Sequence, residues 1–202
     1  MEIKFREINS AREKEKNIDL AISQHEMVSC FVSQILTSQD YFLDVGCGSG
    51  YQAQLLQCQY FGLDPIRVPF HSDFNFVIGY GENIPFADGQ FDFVMIKDGI
   101  NYYRNLLPLF FEIKRILKPG GRLIITEFTG SHQYKCLFWI KKFLKFKVGF
   151  FLNSWDITYN GYYHFDEIKK VCDSVFGSSC LVSDIKQQRY YLLANCGNVS
   201  WL

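Results

Sequence analysis

The chain has no apolar run that reaches the roughly 18–20 residues of a membrane-spanning helix. It has no C-x-x-C pair. Its seven cysteines (Cys30, Cys47, Cys58, Cys136, Cys172, Cys180 and Cys196) are scattered, an odd count that suits free thiols in a reducing compartment. None of the histidines His25, His71, His132 and His164 pairs at zinc-ligand spacing, so no metal site is expected. Neither sign of charge is in excess: 21 Lys and Arg balance 21 Asp and Glu, which removes the broad electrostatic footprint of a nucleic-acid binder. The first residues, Met1 to Glu7, are charged and carry no apolar signal core. Internal repeats and low-complexity tracts are also missing. A soluble cytoplasmic protein is the resulting expectation, and 202 residues suit one domain over 1–202.

What the chain does have is Leu43-Asp44-Val45-Gly46-Cys47-Gly48-Ser49-Gly50, an apolar strand running into a glycine-packed turn. A helix-compatible segment follows at once. Such a turn brings backbone N–H groups close to a ligand, and glycine permits both the positive φ and the close approach. The dinucleotide pattern G-x-G-x-x-G would require a small residue where Tyr51 stands, which argues against a nicotinamide cofactor. A second acidic residue, Asp64, ends another short apolar run 20 residues after Asp44, where a carboxylate can accept from both hydroxyls of a ribose.

The periodicity predicts strands at 41–45, 59–63, 74–78, 91–96, 121–127, 181–187 and 190–195. Helices are predicted at 18–37, 49–57, 104–117 and 165–176. Lys118-Pro119-Gly120-Gly121 should stop the third helix and turn the chain into a strand. Alternating strands and helices imply a parallel sheet covered on both faces, and the last two strands are close enough to form an antiparallel hairpin. Residues 1–38 read as a helical cap. Residues 131–163 interrupt the rhythm. Within them, 134–147 carries five lysines, no acids and eight Tyr, Leu, Phe, Trp or Ile residues. The stretch 134–152 fits an interfacial helix that touches a membrane or lipid, a lid over an apolar acceptor, or a surface helix with snorkelling lysines.

Three segments in order resemble class I S-adenosylmethionine-dependent methyltransferases. They are the glycine turn, then Gly81-Glu82-Asn83-Ile84-Pro85-Phe86-Ala87-Asp88-Gly89-Gln90-Phe91-Asp92-Phe93-Val94, then Arg115-Ile116-Leu117-Lys118-Pro119-Gly120-Gly121-Arg122-Leu123. The resemblance covers about residues 40–128. It implies an α/β, Rossmann-like three-layer sandwich whose mostly parallel seven-stranded sheet ends in the antiparallel hairpin, and it makes 131–163 a substrate lid.

The same resemblance implies S-adenosylmethionine as cofactor and S-adenosylhomocysteine as product. The glycine turn (Gly46, Cys47, Gly48 and Gly50) would lie under the methionine part. Asp44 would hold the turn or reach the amino group through water. Asp64, followed by Pro65, would take the ribose, and Gly81, Glu82 and Asn83 the adenine edge. Tyr80 stands where many relatives have an acid that accepts from the adenine amino group, and Tyr102 where many have a histidine. Lys97 and Asp98 follow the fourth strand, near the reactive methyl. Asp98 reads as a general base or as a cap of the following helix, and His132 and His164 flank the lid as candidate bases.

The expected activity is in-line SN2 transfer of methyl to a small, partly apolar acceptor. The sulfonium is already activated, so alignment and exclusion of water are the main requirements, and no triad or metal is needed. A methyltransferase-like protein that binds the cofactor or a partner without catalysis is the alternative.

Overall fold

A computed structural model describes residues 26, 28–67, 73–128, 163, 165–184 and 189–195. Seven strands form one sheet: β1 (Tyr41–Val45), β2 (Gln59–Asp64), β3 (Asn75–Ile78), β4 (Phe91–Lys97), β5 (Leu117–Phe128), β6 (Ser179–Asp184) and β7 (Arg189–Asn195). Their order is β3-β2-β1-β4-β5-β7-β6. Pairs among β1 to β5 are parallel, and β7 runs antiparallel to both its neighbours. The expected α/β sheet with its final hairpin is therefore the architecture found. The order reverses direction between β1 and β4, which opens a crevice beyond their carboxyl ends.

Side chains that alternate along β1 divide the core in two. Leu43 and Val45 face one layer, with α2 (Leu106–Ile116) and α3 (Phe165–Phe176). Helix α2 buries Leu106, Leu109, Phe110, Ile113 and Ile116 at helical spacing, and Asn105 caps it by accepting the Leu107 N–H at 3.0 Å. Its Phe110 meets Phe176 of α3 edge-on at 6.2 Å between ring centroids. Phe42 faces the other layer with Tyr60, Met95, Ile124 and Leu193, and these pack on Val28 and Val32 from helix α1 at 28–33. Of the helix read over 18–37, residues 18–25 and 27 lie outside the described residues. So does nearly all of 131–163, including His132; His25, His71 and His164 lie outside as well.

Two elements differ from the sequence reading. The helix expected over 49–57 is only a 3₁₀ turn, Tyr51–Gln54. Between Gly50 and Gln59 the chain must travel back along β1, a five-residue strand about 16 Å long at ~3.3 Å per residue. Eight residues of α-helix cover only about 12 Å, so a tighter-wound, longer-rising turn and extended flanks replace it. The second difference is β5, which begins at Leu117 rather than at residue 121. Leu117 pairs with Phe91 and Arg122 with Phe93, so Lys118 to Gly121 bulge out of the ladder between them. The Pro-Gly-Gly signal made its turn inside the strand instead of ahead of it.

Candidate functional site

The glycine turn sits at the carboxyl end of β1, fastened to β2: Leu63 O accepts the N–H of Gly46 at 2.7 Å and of Cys47 at 3.2 Å. The glycines have different reasons to be glycine. Gly46 and Gly48 have φ of +79° and +53°, and a Cβ on either would meet nothing within 4 Å. They form a cradle whose open side has room for a ligand. Gly50, at φ +69°, is packed: a Cβ there would lie 2.0 Å from the Phe74 ring.

Asp64 ends β2, and its Oδ2 accepts the Gly48 N–H at 3.0 Å while Oδ1 accepts the Ile66 N–H at 2.9 Å. The carboxylate expected at a ribose therefore also braces the cradle, and Pro65 follows it in an exposed bend. Each oxygen keeps a second lone pair for a further donor.

Asp44 is only 2% exposed, on the Phe42 face of β1. Its Oδ2 accepts from the Tyr60 hydroxyl at 2.7 Å, while Oδ1 is buried and lacks a hydrogen-bond partner. Leaving such an atom unmatched costs about 1–3 kcal/mol. Burial pushes the carboxyl up to about 6; the Tyr60 bond and the charge of Lys97 oppose that rise, and Asp64 and Asp98 add to it. The Cys47 thiol is also pushed up by burial and by the nearby Asp44 and Asp64 carboxylates, so it remains a neutral thiol.

At the end of β4, Lys97 is 10% exposed and its Nζ lies 2.8 Å from Asp98 Oδ2. Asp98 is the one non-glycine among the described residues with positive φ, +54°, a conformation that costs a side-chain-bearing residue about 1–2 kcal/mol. The next 3₁₀ turn, Ile100–Tyr102, is preceded by Gly99 without a side-chain cap. The Ile100 N–H is instead taken by buried Glu127 Oε1 at 3.0 Å. The helix that follows, α2, has Asn105 rather than Asp98 as its cap.

The second motif segment follows β3. Gly81 is buried, with Glu82 and Asn83 exposed beside it. Tyr80 points out, 66% exposed, and Tyr102 is 42% exposed. The aromatic that turns inward is Tyr103: a Cβ on Gly81 would sit 2.6 Å from its hydroxyl. Burial and the charge of Glu82 push that phenol up. The structure thus brings Asp44, the glycines, Asp64, Lys97 and Asp98 to one end of the sheet.

Sequence reasoning passed over Tyr60, Tyr103 and Glu127. Tyr60 read as one aromatic of the second apolar strand. The signal available for Tyr60 was its parity, which puts it on the face of β2 that the chain-neighbouring strand could share with Asp44.

Comparison with known proteins agrees with the motifs. Residues 43–125 match the family model described as a methyltransferase domain. Over 101 residues the chain is 33% identical to a demethylmenaquinone methyltransferase of Corynebacterium urealyticum, covering 46% of this chain and 44% of that one. Over 147 residues it is 29% identical to phthiotriol/phenolphthiotriol dimycocerosates methyltransferase 1 of Mycobacterium ulcerans, covering 62% and 54%. The chain thus spans about half the length of these curated relatives. Two solved structures share its fold. A protein from Pyrococcus horikoshii matches with a TM-score of 0.63 at 17% identity, covering 87% of this chain and 90% of that one. A SAM-dependent methyltransferase from Methanosarcina mazei matches with a TM-score of 0.52 at 17% identity, covering 82% and 96%. Residues 43–125 are thus similar to a methyltransferase domain, and the two solved structures share the fold of the chain.

Proposed function

We propose that this protein binds S-adenosylmethionine at the β1–β4 crevice and transfers its methyl to a small, partly apolar acceptor. The observation that carries this reading is the open glycine cradle with a buried, unpartnered Asp44 Oδ1 beside it. The residues fit the group. Asp44 offers an acceptor for the amino group, directly or through one water. Gly46, Cys47, Gly48 and Gly50 pass beneath the methionine part. Asp64 and Pro65 flank the ribose, and Gly81, Glu82 and Asn83 the adenine edge.

When bound, the cofactor supplies a methyl already activated on a sulfonium, which the acceptor takes by in-line displacement. The chain's own work is to bind, orient and exclude water. Asp98, held against Lys97 at the end of β4, would accept a proton from a hydroxyl acceptor. His132 and His164 remain candidate bases. The acceptors in the names of the two relatives, demethylmenaquinone and phthiotriol/phenolphthiotriol dimycocerosates, support an aromatic or lipid-like acceptor here too. An acceptor of that kind would suit the aromatic and lysine-rich 134–152 segment as its cover or as a peripheral lipid contact.

Calorimetric titration with S-adenosylmethionine and S-adenosylhomocysteine, with Asp64→Ala alongside, tests this. Saturable binding that the variant weakens by tenfold or more supports it, since a charge-assisted hydrogen bond contributes roughly 1.5–3 kcal/mol. Wild-type protein that binds neither compound refutes it.

A further inference from the structure

Asp44 and Tyr60 are brought together by the register of two parallel strands. Phe42 lies opposite Tyr60 and Asp44 opposite Gly62, so Tyr60 and Asp44 share a face one step apart. The Tyr60 ring stacks on Phe42 at 5.8 Å between centroids and meets Phe74 edge-on at 5.4 Å. Its hydroxyl can then reach only along the sheet, to Asp44 Oδ2 at 2.7 Å. The space beside Gly62 is taken by Phe74 and Cys47, since a Cβ there would lie 2.6 Å from the Phe74 ring and 2.7 Å from Cys47 Sγ, and Met95 is the β4 residue opposite Asp44. One carboxylate oxygen is thus occupied, and the other, Oδ1, is buried without a hydrogen-bond partner two residues before Gly46.

We propose that Tyr60 is a positioning residue for ligand capture: its hydroxyl holds Asp44 Oδ2, so that Asp44 stays ionised and presents Oδ1 alone to the amino group of the bound cofactor. This rests on the reading of the crevice as an S-adenosylmethionine site. A buried carboxylate beside Phe42 and Met95 would otherwise take up a proton, and a neutral acid is a poor partner for an ammonium. The phenol counters this by donating to the charged form, and it stays protonated itself because burial and Asp44 both push its ionisation well up.

The other groups that bear on Asp44 come from each neighbouring element. Asp64 lies on β2, Lys97 and Asp98 at the end of β4, and Cys47 in the turn, and Tyr103 senses the same carboxylate from beyond β4. Lys97 and Asp98 are paired with each other. Tyr60 is the one that bonds to Asp44 directly.

The experiment is the dissociation constant of S-adenosylhomocysteine between pH 5 and 8.5 for wild type, Tyr60→Phe and Asp44→Asn, with urea unfolding of each to confirm the fold. Tyr60→Phe keeps the ring and its stacking. In wild type the affinity should fall about tenfold per pH unit below a break near 6, the value to which Asp44 is pushed. In Tyr60→Phe the break should move up by about one unit, so that affinity drops nearly tenfold at pH 5, about twofold at pH 7 and hardly at all at pH 8.5. Asp44→Asn should remove the break, which assigns it to Asp44; the ligand's own amine, titrating near ~8, acts alike in all three proteins. An unshifted break, or a loss that is the same at every pH, would overturn the proposal while leaving the cofactor reading intact. Wild-type protein that binds at no pH overturns both.

Discussion

Arg115 and Glu112, neighbours on α2, hold the two sides of a single residue, Ile84: Glu112 Oε2 accepts its N–H at 2.8 Å and Arg115 donates to its carbonyl at 2.9 Å. Arg115 also donates to Phe86 O at 2.8 Å and to Asp88 Oδ1 at 2.6 Å, and it pairs with Glu112 through two further contacts. Two of the three sequence motifs are thus one structural unit. The loop that carries Gly81 and Glu82 is aimed by the helix that precedes the third motif. Beneath it, Phe61, Phe86 and Phe91 form an aromatic cluster with centroids 5.0 to 5.9 Å apart.

Arg115→Lys should therefore behave as a severe change. A lysine cannot span two carbonyls and two carboxylates with one point charge. Loss of partners for Ile84 O and Phe86 O should cost about 2–3 kcal/mol, read as a lowered urea midpoint. Cofactor affinity should fall severalfold as the adenine-side loop loosens. An unchanged midpoint would show that the clamp contributes little.

Gly50→Ala should destabilise the protein by roughly 3 kcal/mol, from the positive φ and from collision with Phe74. In a Phe74→Ala background the added cost should shrink to the conformational part, about 1–2 kcal/mol. Gly46→Ala, which meets no neighbour, should show only that smaller cost in wild type. A double-mutant cycle in urea measures the difference, and full additivity of Gly50→Ala with Phe74→Ala would contradict it.

The ligand-free protein should lose stability as the pH rises through 6. Asp44 is raised from 3.8 unfolded to about 6 folded, so the fold favours its protonated form. That contribution is complete below about pH 4 and is lost as pH climbs through 6, at most about 3 kcal/mol. Asp44→Asn should flatten this part of the profile. Urea midpoints between pH 4 and 8 that are parallel for both proteins would speak against the buried carboxyl.

Asp98→Asn should separate chemistry from architecture. Asparagine tolerates the left-handed backbone at φ +54°, so the fold should persist. Methyl transfer to a hydroxyl acceptor should drop about 10²-fold or more if Asp98 takes the proton. The affinity for S-adenosylhomocysteine should stay within about threefold. Transfer at the wild-type rate would move the base elsewhere, to His132 or His164.

How much was legible beforehand differs from element to element. Helix α3 was readable residue for residue over 165–176, because Ile168, Cys172, Val175 and Phe176 repeat at helical spacing after an acidic first turn. The strands were readable because β-rich apolar runs end at glycine, proline and aspartate. The segment after Gly50 was misread as a helix, because local composition does not contain the distance back along β1. Asp44 was marked by its place beside the glycines, but neither its burial nor its partner was visible.

The sequence by itself determined the order of strands and helices, the glycine turn and the three ordered motifs, since each depends on residues close together in the chain: periodicity, turn chemistry and backbone freedom are local properties. Only the tertiary structure decided that Tyr60 holds Asp44, that Glu127 rather than Asp98 meets Ile100, that Phe74 demands Gly50, and that Arg115 and Glu112 aim the Glu82 loop. Those relationships cross between elements. They depend on strand register, on which face each alternating side chain takes, and on how closely the layers pack, and these are fixed only when the whole sheet and its covering helices close on one another.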